Sequence, residues 1–434
     1  MGAASPVRKI LILMADEFRH DAGGFAGRGL ADTPHLDSLA QGGAIFENAY
    51  TPSPVCVPAR QCMATGLYPS RAGCVRFGDD IEPGSRTFAR WFADHGFYTV
   101  CCGKLHHRGP DQMQGWLHRI GAEQAVRWPT DFADRPQIGR QKWRGLEELL
   151  TAGPGVSVLG LQDDLATRGA CDFLRGHFGG LTMTPQDVPL MLMVSLQQPH
   201  FPLRCDPTLF DKYLDRVPVF DDEPPLGHPL VDFGRLSAAE GVRQEDCRRA
   251  TAAYAALVEQ ADSRFGCVLN TLAELGENID DWLVIFCADH GDMLGQHGRW
   301  EKRSFYEGSV RIPLFVRGPG IDPHRISRAV NLIDLFPTLC RQAGLTVPDG
   351  LDGHDLFDAT APDLTFSEYA GDQLMVRTGR WKYLHFPAGG DVLFDLGTDP
   401  GETRNRIDDQ EFQDTRESLR SFVSRHRSPK EVSH

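Results

Sequence analysis

Four stretches of the chain share one plan, an unbroken apolar run followed at once by polar residues that can carry chemistry. They are ILILMADEF over 10–18, YTVCCGKLHH over 98–107, PLMLMVSLQQPHFP over 189–202 and WLVIFCADHGD over 282–292. Apolar runs of this kind suit strands buried on both faces, as in a parallel sheet covered by helices. Each run then delivers its polar residues to a strand's end. Between the third and fourth runs, Tyr254, Leu257, Val258, Ala261, Phe265, Val268, Leu269 and Leu272 recur at helical spacing before Gly276, which predicts one long amphipathic helix. Strands alternating with helices predict an α/β/α sandwich with a large, mostly parallel central sheet. Ligands of such sheets lie beyond the carboxyl ends of the strands, so the four polar clusters are expected to converge.

From about residue 359 the texture changes to short alternating pieces, LTFSEYA, LMVRTGRWKYLHF and DVLFDLGTDPGE, separated by Gly, Pro and Asp. These predict a smaller antiparallel sheet with a packed closing helix, and a division into a main α/β domain over 1–358 and a small α+β subdomain over 359–434. The Pro-rich excursion over 203–245 is expected to rim a site.

Composition narrows the partners. The 434 residues carry 45 Lys and Arg against 59 Asp and Glu, a formal charge of −14, which argues against nucleic acid and anionic membranes as partners. An anionic substrate would need a local positive cluster. The start, MGAASPVRKILILMADEF, runs straight into a strand-like segment without a cleavage site, and MGAASP misses the myristoylation pattern. The eleven cysteines are scattered without metal-type spacing. These features lead to the expectation of a reducing, cytoplasmic setting. Oligomeric state is not legible.

Asp16 and Glu17 follow the first buried run, where adjacent carboxylates repel unless a cation or positive side chain lies between them. Alone they read rather as a solvated acidic turn. Asp289 and His290 repeat the arrangement after the fourth run. Oxygen-rich ligands with one imidazole suit Ca²⁺ first, with Mn²⁺ or Mg²⁺ as alternatives and Zn²⁺ less suited. In SPVCVPARQCMATGLYPSRAG, Pro58 suits the first turn of a helix, so Cys56 would sit just before an anion-attracting N-terminus with Arg60 nearby. That makes Cys56 either a reactive residue or one more small core cysteine.

These motifs resemble the sulfatase family. CVPAR followed by TGLYPSRAG is similar to its signature Cys-x-Pro-x-Arg, and the resemblance extends in order through LILMADEFRHD, GKLH at 103–106, QPHFP at 198–202, ADHGDMLGQHGRWEKRSFYEGSVRIPLFVRGPG at 288–320, VRTGRWKYL and LFDLGTDPGE. It implies an alkaline-phosphatase-like fold and a metal-dependent sulfuric ester hydrolase acting on a saccharide or small organic sulfate. It also implies that a separate formylglycine-generating enzyme oxidises Cys56 to an aldehyde, formylglycine, whose hydrate supplies the nucleophile. By motif position, Asp16, Glu17, Asp289 and His290 would bind one divalent cation together with residue 56. Arg60, Lys104 and Lys302 would bind sulfate oxygens, His106 would stand beside the diol, and His200 would protonate the leaving group. Without the resemblance, a solvated charge stands as the lesser alternative for Lys302 in RWEKRSF, while His200 reads as structural and His297 as structural or at the substrate rim.

The Asp-His pair of the fourth cluster resembles choline sulfatases, uronate-type sulfatases and phosphonate monoester hydrolases, while Gln198 replaces a lysine often found in iduronate-type enzymes. A phosphonate monoester or phosphodiester hydrolase is therefore the alternative enzyme. An unmodified glycan-binding pseudosulfatase is the non-enzymatic one.

Overall fold

The computed structural model describes residues 6–27, 29–121, 145–181, 185, 187–220, 224–236 and 241–427. The reading of the first five residues, and parts of the 203–245 excursion, lie outside the described residues.

The apolar runs form the middle of one twisted sheet. Its strands follow the order His324–Asn331, Ala44–Tyr50, Leu314–Arg317, Leu283–Ala288, Lys9–Asp16, Leu190–Pro199, Tyr98–Gly103 and His118–Ile120, and the short Arg311–Ile312 pairs with Ala44–Tyr50. Leu314–Arg317 and Arg311–Ile312 run antiparallel to their neighbours, and the other pairings are parallel. The four runs occupy adjacent central positions, with Ile12 facing Met193 on one side and Ile285 on the other. Every residue of Leu190–Pro199 and Leu283–Ala288 is buried, which is why these strands show no alternation.

Two groups of helices cover the sheet. Gln244–Glu274, the long helix expected from the periodicity, packs on Leu190–Pro199, on helix Val158–Phe178 and on Pro207–Leu214. Its Phe265 meets Phe286 of the sheet edge-on at 5.9 Å. Helix Cys56–Thr65 packs with Phe88–Asp94 and Leu335–Gln342, where Phe88 lies against Phe336.

The four-stranded antiparallel sheet, Thr365–Tyr369, Gln373–Thr378, Trp381–His385 and Val392–Asp395, lies where the short alternating pieces predict it. Met375, Leu384 and Phe394 on its one face pack with Tyr50, Phe305 and Tyr306 of the main body. Leu374, Val376 and Tyr383 on the other receive Leu419 and Val423 of the closing helix Gln413–Arg427. This alternation is that of an antiparallel sheet buried on both faces by different elements.

Candidate active site

Parallel strands end on one edge of the sheet, so topology collects their polar tails. Asp16 and Glu17 follow Lys9–Asp16, Lys104 and His106 follow Tyr98–Gly103, His200 follows Leu190–Pro199, and Asp289 and His290 follow Leu283–Ala288. Strand Ala44–Tyr50 leads over five residues to Cys56, the first residue of helix Cys56–Thr65. Val55 precedes it in extended conformation, and no side chain caps the helix. Gly66, at φ 69°, closes it in the left-handed region and sends its N–H to Cys62 O. Cys56 is 1 % exposed, and all but Ala64 of the helix is buried with it, so the helix begins inside the core.

The charged groups are interlocked. Arg60 donates from Nε to Asp289 Oδ2 at 2.7 Å, from Nη2 to Asp16 Oδ2 at 3.0 Å, and from Nη1 to Lys104 O at 3.0 Å and Ser195 Oγ at 2.9 Å. Its donors are thus turned onto protein acceptors. Lys104 Nζ pairs with the same Asp16 Oδ2. Asp289 Oδ1 accepts the backbone N–H groups of Glu17 and His290, at 3.0 and 2.9 Å. Lys302 Nζ donates to Glu17 Oε2 and His200 Nε2, both at 2.7 Å. His200 Nδ1 lies 2.6 Å from Phe201 O, so its Nδ1–H donates there while Nε2 accepts from the ammonium.

Several of these residues hold strained backbone. Glu17, His106, Glu301 and Arg303 have φ of 63°, 64°, 63° and 69°, each costing about 1–3 kcal/mol for a residue with a Cβ. Lys302 is therefore presented by a loop with left-handed residues on both sides.

The two adjacent carboxyls are driven apart. Burial pushes Asp16 up, but Lys104, His200 and Arg60 prevail and hold it well below the usual carboxylate range. Burial pushes Glu17 well above that range, and Asp292, Asp16 and Glu301 add to the effect against Lys302 alone. Burial also raises the Cys56 thiol to about 11, against the pull of Lys104. Such a thiol is a poor nucleophile at neutral pH.

Asp16 Oδ1, Glu17 Oε1 and His290 Nε2 are buried without a hydrogen-bond partner. Donor atoms of Asp16, Glu17 and His200 lie within 4.8 Å of one another, as do those of Asp16, Asp289 and His290. Orphaned, mostly anionic donors at this spacing fit a divalent cation, which would give each of them the partner it lacks.

The sequence reading named the strand-end residues but missed those that hold them. Ser195 anchors Arg60, Tyr254 OH donates to Glu17 O at 2.6 Å, and Asp292 stands beside Glu17. Asp163, on helix Val158–Phe178, accepts the N–H groups of Gln197 and Gln198 at 2.7 and 2.8 Å and so fixes the turn that presents His200. Asp292 stands inside the quoted ADHGD run, but nothing local to Ser195, Tyr254 or Asp163 announces a partner. Gln198 Oε1 is taken by Arg264 at 2.5 Å. His297 is buried and stacks on Tyr306 at 3.9 Å, a structural position. The 203–245 excursion acts one layer out from the site: Val231 O and Phe233 O accept from Arg299, and Leu236 N–H donates to Gly298 O, bracing the loop that carries Lys302.

Comparison with known proteins agrees with this architecture. The sulfatase family model matches residues 8–345, and that of the N-sulphoglucosamine sulphohydrolase C-terminal region matches residues 295–428. A choline-sulfatase of Rhizobium meliloti (strain 1021) is 31 % identical over 430 residues, covering 91 % of this chain and 81 % of that one. The phosphonate monoester hydrolase of Agrobacterium radiobacter superposes with a TM-score of 0.77 at 23 % identity over 96 % of each chain. A protein solved in complex with its substrate D-glucosamine-2-N,6-O-disulfate gives 0.75 at 18 % identity over 97 % of each. The fold is the alkaline-phosphatase-like α/β sandwich.

Proposed function

The chain belongs to the sulfatase family of sulfuric ester hydrolases, and we propose that it cleaves the sulfate ester of a sugar or small organic alcohol at the Cys56 cluster. The observation that carries this reading is the convergence of three orphaned, buried donors, Asp16 Oδ1, Glu17 Oε1 and His290 Nε2, with Lys104, Lys302 and His200 at the uncapped helix N-terminus that begins with Cys56.

Asp16, Glu17, Asp289 and His290 would hold one divalent cation, Ca²⁺ by their oxygen-rich character, which when bound would polarise the sulfate and favour an ionised oxygen nucleophile. Residue 56, once converted to formylglycine, would supply that oxygen from its hydrated aldehyde. Lys104 and Lys302 offer ammonium donors to the sulfate oxygens, and His106 stands on the same loop as Lys104. Arg60 serves as a positioning residue, because its guanidinium fixes Asp16 and Asp289 relative to each other. The proton for the leaving oxygen resides on the Lys302–His200 pair, where one hydrogen bond joins the two nitrogens.

The test is an activity panel of sugar sulfates, aryl sulfates, phosphodiesters and phosphonate monoesters, run on protein co-produced with the formylglycine-generating enzyme. Peptide mass analysis of residue 56 gives the converted fraction. Sulfate ester turnover is expected to track that fraction. Equal turnover without conversion would overturn the aldehyde, and a much larger kcat/KM for phosphonates would reassign the substrate.

A further inference from the structure

Arg299, on the loop that presents Lys302, is a buried cation whose countercharge the described chain does not supply. It is 7 % exposed, and three backbone carbonyls hold its guanidinium. Nη1 donates to Val231 O at 2.7 Å and to Phe233 O at 2.5 Å, and Nη2 to Arg303 O at 3.3 Å. Nε has no partner, and of the five N–H groups one on Nη2 is also left over. Arg19 and Arg60, comparably buried, meet Asp21 and the pair Asp16 and Asp289. No carboxylate among the described residues does this for Arg299. Asp232, whose charge acts on it, gives its oxygens to the N–H groups of Leu226, Gly227 and His228. Burial therefore pushes the guanidinium below its ordinary pKa, and Tyr306, Tyr369 and Asp232 offset this only in part. A buried charge in this state is costly until something pairs with it.

A cavity of about 20 Å³ adjoins it, between the Lys302 loop, the 230–231 segment and the small sheet. That volume suits one water-sized species and is too small for a sulfate. No acid is among the described residues that line it, and none of the strand-end residues reaches it. Ser304, Tyr369 and Gln373 add O–H or N–H groups to its wall, and Phe305 and Phe386 add apolar surface. Ser304 Oγ accepts from Tyr306 N–H at 3.1 Å, which leaves its own hydrogen to donate. Water would satisfy such donors but leave the charge uncompensated, whereas a monatomic anion does both.

We propose that this cavity is a site for one monatomic anion, chloride by size and charge, and that the ion braces the Lys302 loop. It accepts from Arg299 and Ser304 and keeps the guanidinium on Val231 O, Phe233 O and Arg303 O. The loop needs such a tie, because His297, Glu301 and Arg303 hold left-handed φ of 55°, 63° and 69°. Lys302 stands between the last two. The site is independent of which ester the strand-end cluster cleaves.

The probes are sodium chloride, sodium bromide and sodium gluconate, applied to the full chain at equal ionic strength so that general screening cancels. The melting temperature is expected to be roughly 1–3 °C higher in about 0.1 M chloride than in gluconate, reaching a plateau with concentration. Amide exchange at 299–305 should be several-fold slower in chloride. Arg299→Gln should abolish both differences, and Ser304→Ala should move the plateau to higher chloride. Crystals of the unaltered protein grown in bromide should show an anomalous peak beside Arg299, a result that does not depend on how the variants fold. No chloride dependence, a difference that survives in Arg299→Gln, or a cavity that holds only water in bromide overturns the site. Chloride binding without slower exchange at 299–305 overturns the brace.

Discussion

Two buried ionic clusters of this molecule use similar residues to opposite ends. In the first, Lys382 of the small sheet, fully buried, donates to Glu307 Oε1 at 2.9 Å and Glu402 Oε1 at 2.6 Å. The remaining oxygens are also engaged: Glu307 Oε2 accepts from Tyr50 OH at 3.1 Å, and Glu402 Oε2 from Glu307 N–H at 2.6 Å. Burial raises both acids, yet Lys382 and Arg311 hold Glu307 low while Glu307 helps push Glu402 up. Every carboxylate oxygen has a partner, and the cluster ties the small sheet to the main body. In the second, at the strand ends, Asp16 Oδ1, Glu17 Oε1 and His290 Nε2 have none. A closed buried network fixes a structure, whereas an open one of mostly anionic donors is costly unless a ligand completes it.

That contrast can be broken or sharpened by substitution. The largest effect is expected from Cys56→Ala, which should cost about 10⁴-fold or more in kcat while circular dichroism and melting stay native. Loss of fold would move Cys56 into the structural class. Next is His200→Ala, which breaks the Lys302–His200 pair proposed to carry the leaving-group proton: such proton donation contributes roughly 10²–10⁴-fold, so alkyl sulfates should lose about that factor and 4-nitrophenyl sulfate much less. Equal losses in a folded variant would remove the proton-donor role.

Lys382→Met acts on the closed cluster. It removes the cation that the two carboxylates share, a change of about 3–5 kcal/mol in unfolding free energy, read by denaturant titration, with kcat per folded molecule retained. Asp289→Ala addresses the open one. At a cation concentration about 100 times its Kd, the native protein should gain about 2.7 kcal/mol and the variant almost none; an unchanged thermal shift would put the ion elsewhere. The smallest effect is Glu17→Gln. Replacing an acid crowded by Asp16, Asp292 and Glu301 should raise the melting temperature in chelator by roughly 1 kcal/mol equivalent and diminish the cation response. Lower stability in chelator would show that Glu17 belongs with the satisfied acids.

Much of this was legible in the chain itself. The four apolar runs identify central strands because a strand buried on both faces must be continuously apolar, and the register of Lys9–Asp16 between Leu190–Pro199 and Leu283–Ala288 bears this out. The long helix and the antiparallel sheet followed from periodicity for the same reason, since each buries a face that repeats along the sequence. The residues that end each run could be named as site candidates because parallel strands share a carboxyl edge. Tertiary structure alone decided how those residues divide their bonds. Arg60 faces Asp16 and Asp289, Lys302 joins Glu17 to His200, and Asp163, Ser195 and Tyr254 act across helices and strands far away in sequence. Nor does the sequence distinguish Lys382 with Glu307 and Glu402 from the open cluster at the strand ends. Local pattern records which face of an element is apolar, but hydrogen-bond satisfaction is a property of atoms brought together from separate segments, and it exists only once the chain has folded.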